Sequence, residues 1–210
     1  GLKTDLSGSS AHVQTNTAHV IVLRSATGAA CFSGDVYAST FTLQGTVTAP
    51  EIVEPSGLAA SRLVGNALYV HNEDTTAIVA IDTLDASTIG TFNVSNVTPA
   101  DWEDLATGPC PTGSCIFIGD IGKWSANFPP GGSPTSFTIY RVPEPDLANG
   151  QTSGGLVAEA FPFVYPDGAK DAESLMVHPT TGDIYVVTKN GDTGASGVYK
   201  FPQPLTPGVQ

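Results

Sequence analysis

"DWEDL" at residues 101–105 and "DAESL" at residues 171–175 are two acidic stretches that each lead into strand-forming residues. A third stretch, "EPSGL" at residues 54–58, has the same form, with an acidic residue four positions before a leucine. Each is followed by a turn containing glycine and then by an apolar run: "ALYVH", "CIFIGD" and "DIYVVT". Runs of Val, Ile, Tyr and Phe between turns are typical of β-strands. The chain therefore contains a repeated unit that starts at residues 54, 101 and 171.

This repeat predicts an all-β fold, a β-propeller of four-stranded antiparallel blades. The starts are 47 and 70 residues apart, and a four-stranded unit recurring at about 45 residues is characteristic of propeller blades. We expect second strands at 67–71, 115–119 and 184–188, and Leu58, Leu105 and Leu175 in the core. A sandwich of Greek keys is the structural alternative.

The domain organisation follows from counting the repeats. Residues 1–53 also have strand character, in "AHVIVLRS", "GDVYAST" and "FTLQGTVTA", and they supply a further blade in part or in whole. We expect about four blades in residues 1–210, which form either a single propeller domain or part of a larger ring that a second chain completes.

The composition limits the partners. The formal net charge is −12 with only eight Lys and Arg residues, so nothing neutralises nucleic-acid phosphates, and cations are more natural ligands. No apolar run approaches the ~20 residues that a membrane-spanning helix needs. Cys110 and Cys115 bracket the turn "PTGS", which predicts a disulfide and an extracytoplasmic, secreted protein. Cys31 is left without a predicted partner.

Propeller geometry suggests why the acids recur. The starts of first strands and the ends of second strands meet at one end of the central axis, which brings together a set of polar residues: Glu54, Asp101, Glu103, Asp104, Asp171 and Glu173 from the starts, and His71, Asn72, Glu73, Asp120, Lys189 and Asn190 from the ends. Crowded carboxylates repel unless a cation or protons neutralise them. Oxygen ligands suit Ca²⁺, with Mg²⁺ as the alternative.

The predicted metal ligands are Glu54, Glu103 and Glu173, with Asn72 and Asp120 as alternatives. His71 and Asp104 are candidates for a catalytic base, and Trp124, Lys189 and Asn190 for ligand binding. For His71, the roles of metal ligand and plain hydrogen-bonding residue are also open. A structural role is open for each acid, because carboxylates at strand starts also cap turns by accepting backbone N–H groups. Lys189 has a similar alternative as an ion-pair partner of the acids.

The motifs "EPSGL", "DWEDL" and "DAESL" resemble the strand starts of secreted bacterial calcium propellers, distantly similar to the regucalcin/gluconolactonase-like and propeller-phytase groups. The resemblance covers about residues 54–200. It implies a divalent metal held at the axis by Glu54 and, by repeat logic, Glu103 and Glu173. Two functions follow as expectations: a metal-dependent hydrolase of lactones or esters acting on a small molecule, or a non-catalytic calcium-stabilised propeller that binds a protein partner.

Overall fold

The computed structural model describes residues 2–6, 9–13, 21–23, 43–73, 75–123, 136–189 and 194–206. The chain divides into two units, residues 1–43 and 44–210. The first unit contains an antiparallel sheet of three short strands: β1 (Leu2–Leu6), β2 (Ser9–Val13) and β3 (Ile21–Leu23).

The second unit contains three sheets. Sheet I consists of β4 (Pro55–Ala60), β5 (Ala67–Asn72), β6 (Ala77–Asp82), β7 (Thr88–Ser95) and β11 (Ser153–Val157). Sheet II consists of β8 (Trp102–Pro109), β9 (Ser114–Asp120), β10 (Phe137–Pro143) and β12 (Glu159–Phe163). Sheet III consists of β13 (Ala172–Val177), β14 (Ile184–Thr188) and β15 (Val198–Lys200). Within the described ranges, the helical structure is a single 3₁₀ turn, Leu147–Asn149, and no helix has the length and hydropathy needed to cross a lipid bilayer.

The all-β prediction is confirmed, and the strands β5, β9 and β14 match the predicted second strands. Sheets I and II each contain four consecutive antiparallel strands, while the described part of sheet III contains three. The described residues do not themselves form a closed ring, so the propeller stays a prediction.

Sheet II lies between the other two sheets because apolar side chains project from both of its faces. One face packs on sheet I in a core that includes Tyr69, Phe92, Leu105 and Ile118. The opposite face packs on sheet III in a core that includes Phe117, Ile139, Leu175 and Ile184. Removing each such side chain from water contributes about 1.5–3 kcal/mol, so burial on both faces fixes the order of the sheets.

The predicted burial of Leu58 is wrong: its side chain is 58% exposed, whereas Leu105 and Leu175 are 2% and 3% exposed. Leu105 belongs to the core between sheets I and II, and Leu175 to the core between sheets II and III. Leu58 pairs with Val70, which packs in a separate small cluster with residues 47–52. The three aligned leucines therefore do not share one environment.

One further strand prediction needs correction, and one strand was not predicted. Residues 43–49, part of the predicted strand "FTLQGTVTA", are irregular, although Val47 and Ala49 pack on sheet I. In contrast, the Gly-rich stretch around residues 153–157 forms β11, which pairs in parallel with β7. The predicted strand "GDVYAST" lies outside the described residues, as does Cys31.

The first strands of the three sheets share a local irregularity. In β8 the pairing with β9 shifts between Trp102 and Asp104, which leaves Glu103 as an extra residue. In β13 the same shift leaves Glu173 as the extra residue, and β4 has an extra residue within Ser56–Gly57. Such β-bulges bend a strand and redirect a side chain. Because β8 contacts both β4 and β13, the three bulges lie on neighbouring strands.

The predicted pairing of Cys110 with Cys115 is confirmed: their sulfur atoms are at bonding distance and their Cα atoms are 5.5 Å apart. The pair closes the turn between β8 and β9, where the amide of Cys110 donates a hydrogen bond to the carbonyl of Gly113 (3.1 Å). A disulfide in this position is compatible with an extracytoplasmic protein.

Candidate metal centre

Three carboxylates meet where sheets II and III adjoin. Glu103 of β8, Glu173 of β13 and Asp171, just before β13, each offer an oxygen, and these atoms lie within 4.8 Å of one another. Glu103 is buried, with 7% of its surface exposed, whereas the Asp171 and Glu173 side chains are 31% and 42% exposed. The cluster thus has one buried carboxylate and two that water reaches.

The repeated bulge explains how this cluster forms. Glu103 and Glu173 are the extra residues of their strands, and β8 and β13 are neighbours. The bulges direct both glutamates out of the regular alternation and toward the boundary between the sheets. In sheet I the corresponding residue is Ser56, whose hydroxyl donates to the Glu103 carbonyl (3.0 Å).

Gly122 leaves room for the carboxylates. A side chain at this position would collide with the carboxylate oxygens of Asp101 and Glu103. The amides of Ile121 and Gly122 both donate to the Asp101 carbonyl at 3.2 Å, which fixes the segment after β9. One residue later, the amide of Lys123 donates to Asp171 Oδ1 (2.9 Å). Residues 121–123 therefore link the residue before β8, Asp101, to the residue before β13, Asp171.

The electrostatic environment disfavours an ionised Glu103. Burial, followed by the charges of Glu173, Asp101 and Glu73, raises the pKa of Glu103 to about 8, against a smaller opposing effect of Lys189. No hydrogen bond among the described residues reaches the Glu103 carboxylate. A group of this kind takes up either a proton or a cation, because both relieve the repulsion.

Lys189 is the cation nearest to the cluster. Its ammonium lies 3.1 Å from Asp171 Oδ2 and also contacts Glu173 Oε1. The hydrogen bond to Glu173 is the main reason that the pKa of Lys189 is raised. Lys189 therefore forms ion pairs with the acids, which was the alternative to a role in ligand binding. The lysine offsets the negative charge of one carboxylate.

Three other predicted site residues carry backbone hydrogen bonds. The Asp120 carboxylate accepts from the amides of Ala100 and Asp101, and Asn72 Oδ1 accepts from Val53 and Glu54 at the equivalent place in sheet I. Asp104 accepts from its neighbour Leu105 (2.8 Å) and, across the sheets, from Leu175 (2.8 Å). Burial raises the pKa of both aspartates, and these hydrogen bonds oppose the rise. Asn72 and Asp120 thus hold the residues just before β4 and β8, whereas Asp104 joins β8 to β13.

His71 lies inside the protein, fully buried and edge-on to Trp102, with ring centroids 5.8 Å apart. Its Nδ1 is 2.8 Å from the carbonyl of Asn72, while Nε2 is buried, has no hydrogen-bond partner among the described residues and approaches Gly57. Burial lowers the pKa of His71, so the ring is held neutral. The catalytic role considered for His71 therefore stays a prediction.

The remaining predicted residues lie elsewhere. Glu54 is exposed and lines a cavity of about 240 Å³ with Glu73 and Asn72, so the structure brings together two of the three leading glutamates. Trp124 and Asn190 lie outside the described residues. Asp171 belonged to the convergent set but not to the predicted ligands. When the three repeats are aligned on Leu58, Leu105 and Leu175, Asp171 corresponds to Glu54, and Glu103 corresponds to Ser56. The β-bulges occur at the same aligned positions.

Comparison with known proteins does not identify a function for this chain. No protein-family model matches the chain, and no curated protein matches its sequence. The resemblance to calcium propellers accordingly stays an expectation based on short motifs.

Proposed function

We propose that this protein binds a hard divalent cation, Ca²⁺, through Glu103, Asp171 and Glu173. The observation that carries the proposal is the buried Glu103 carboxylate, which faces two other carboxylates and receives no hydrogen bond from the described residues. The ligand set consists of oxygen atoms alone, which favours Ca²⁺ or Mg²⁺ over thiophilic metals. Ca²⁺ is preferred because it accepts irregular arrangements of carboxylates, whereas Mg²⁺ demands a near-octahedral shell.

The cation has a structural role in this proposal. Its ligands come from the first strands of two adjacent sheets, so a bound ion joins sheet II to sheet III. We place the site near the axis of a propeller in which the three sheets are consecutive blades. The support is the side-by-side order of β4, β8 and β13 and the bulge that each contains. The disulfide supports a secreted location, where Ca²⁺ is abundant.

Metal-dependent hydrolysis of a lactone or ester is the second candidate. The observation that favours it is a cavity of about 530 Å³ lined by Asp171 and Lys189, beside the carboxylate cluster. A cation there would polarise a substrate carbonyl and lower the pKa of a bound water. Turnover of lactones or aryl esters that requires Ca²⁺ and is lost in Glu103→Gln would establish this activity. No turnover with Ca²⁺ bound would leave the structural role.

The proposal is tested by calorimetric titration of the metal-free protein with CaCl₂. Glu103→Gln keeps the shape of the side chain and removes a ligand charge, so we expect at least a tenfold loss of affinity. Glu54→Gln is the matched control, since it removes an acid at another repeat start and outside the cluster. At a Ca²⁺ concentration 100 times Kd, the wild-type protein gains about 2.7 kcal/mol of stability. Equal affinities of the wild type and Glu103→Gln would refute the site.

A further inference from the structure

A lysine-lined cavity lies beside the proposed cation site. Its volume is about 530 Å³, and its lining includes Lys123, Lys170 and Lys189. These are three of only eight Lys and Arg residues in a chain with a formal net charge of −12. Asp171 belongs both to this cavity and to the carboxylate cluster, so the two features share a wall.

Lys189 connects the two features. Its ammonium contacts Asp171 and Glu173, two of the three carboxylates that would bind the cation. A divalent cation binding these carboxylates repels the ammonium, which is a point charge on a flexible stem of four carbons. Because 47% of the side chain is exposed, Lys189 can leave its partners without opening the core.

We propose that Lys189 is an internal counter-ion that competes with the divalent cation, and that the bound cation releases its ammonium into the cavity to bind a small oxyanion. The inference rests on the proposed cation site. Lys170 completes the anion site: its ammonium lies 3.3 Å from Asp167, but it does not contact the carboxylate cluster. Thr188, Ser196 and Tyr199 also line the cavity. Carboxylates, phosphates and sulfates share the chemistry that such a site recognises.

The two binding events are then coupled. A cation that frees Lys189 raises the affinity for the anion, and by thermodynamic reciprocity the anion raises the affinity for the cation by the same factor. The coupling would make the cavity an anion site only in the cation-loaded protein.

The first arm of the test measures Ca²⁺ affinity. Lys189→Met removes the competing ammonium, and we expect the Kd for Ca²⁺ to fall about tenfold, the effect of losing two exposed ion pairs. Lys170→Met is the matched control, because it removes a lysine from the same cavity without touching the cluster. Its Kd for Ca²⁺ should stay within about twofold of the wild type. An unchanged Kd in Lys189→Met would overturn the counter-ion role.

The second arm titrates sodium sulfate and sodium acetate, as tetrahedral and carboxylate probes, into metal-free and Ca²⁺-saturated protein. We expect at least one probe to bind the Ca²⁺-saturated wild type ten or more times tighter than the metal-free protein. Both Lys189→Met and Lys170→Met should lose this gain. If neither probe binds, or if both bind equally well with and without Ca²⁺, the inference about Lys189 is overturned, but the proposed cation site is not. A wild type that binds no Ca²⁺ would overturn the proposed function as well.

Discussion

Replacing Glu103 by Gln should change how the stability of the metal-free protein depends on pH. The pKa of Glu103 is raised to about 8 in the folded protein, chiefly by burial and by the charge of Glu173, from an ordinary value of 4.5. Between these two values the folded state binds more protons than the unfolded state. Stability due to Glu103 is therefore fully present below pH 4.5 and is lost as the pH rises toward 8.

The size of this loss follows from the pKa difference. The difference between a pKa of about 8 and one of 4.5 corresponds to about 5 kcal/mol of unfolding free energy, because each pKa unit is worth about 1.36 kcal/mol. Water reaches the cluster through Glu173, whose side chain is 42% exposed, and screening reduces the expected effect. We expect about 2 kcal/mol, or roughly 4–8 °C in melting temperature for a unit of this size.

The measurement is urea unfolding in metal-free buffer at several pH values from 5 to 9, followed by the fluorescence of buried Trp102. The useful quantity is the wild-type free energy of unfolding minus that of Glu103→Gln, because groups that do not interact with Glu103, such as His71, contribute equally to both proteins. The difference should decrease steadily with pH, whereas Glu54→Gln should parallel the wild type. If Glu103→Gln also parallels the wild type from pH 5 to 9, Glu103 is not held protonated by its neighbours.

Three other substitutions test separate parts of the account. Glu144→Ala should cost about 3 kcal/mol in urea unfolding, since buried Glu144 accepts hydrogen bonds that include one from the Tyr69 hydroxyl (3.2 Å); a loss under about 1 kcal/mol would contradict this. Gly122→Ala should abolish Ca²⁺ binding in calorimetry, because the added methyl group collides with Glu103; wild-type affinity would show that the collision is relieved. Leu58→Ala should change stability by less than about 0.5 kcal/mol, since the side chain is 58% exposed, and a larger loss would reveal a packed neighbour.

The strands were predictable wherever side-chain pattern and burial agree. Runs such as "ALYVH" and "CIFIGD" form β5 and β9 because their apolar residues pack on both faces of the sheets. β11 escaped prediction because "SGGLV" offers turn residues, and its position depends on pairing with β7, which is 58 or more residues away in sequence (Ser95 to Ser153). The alignment of the leucines did not indicate how far each one is buried: Leu58 is 58% exposed, whereas Leu105 is 2% exposed.

The sequence predicted a cluster of carboxylates, but it did not predict which carboxylates form it. The recurrence of acids at the repeat starts pointed to Glu103 and Glu173, which lie together in the carboxylate cluster. Their selection over Asp101 depends on one extra residue in each strand, and bulges leave no clear trace in the sequence. The hydrogen bonds of Asp104 and Asp120 to backbone amides depend equally on the approach of chain segments, which composition and spacing do not specify.

Anomalous diffraction from crystals grown with CaCl₂ will show whether one cation joins Glu103, Asp171 and Glu173. We expect an anomalous peak between β8 and β13, with oxygens of all three carboxylates at about 2.3–2.6 Å, the range for Ca²⁺. Lys189 should then lie away from Asp171 and Glu173. The proposed cation site would be refuted by a crystal grown with CaCl₂ that has no peak at this position, and the release of Lys189 by one in which its ammonium still lies between the two carboxylates.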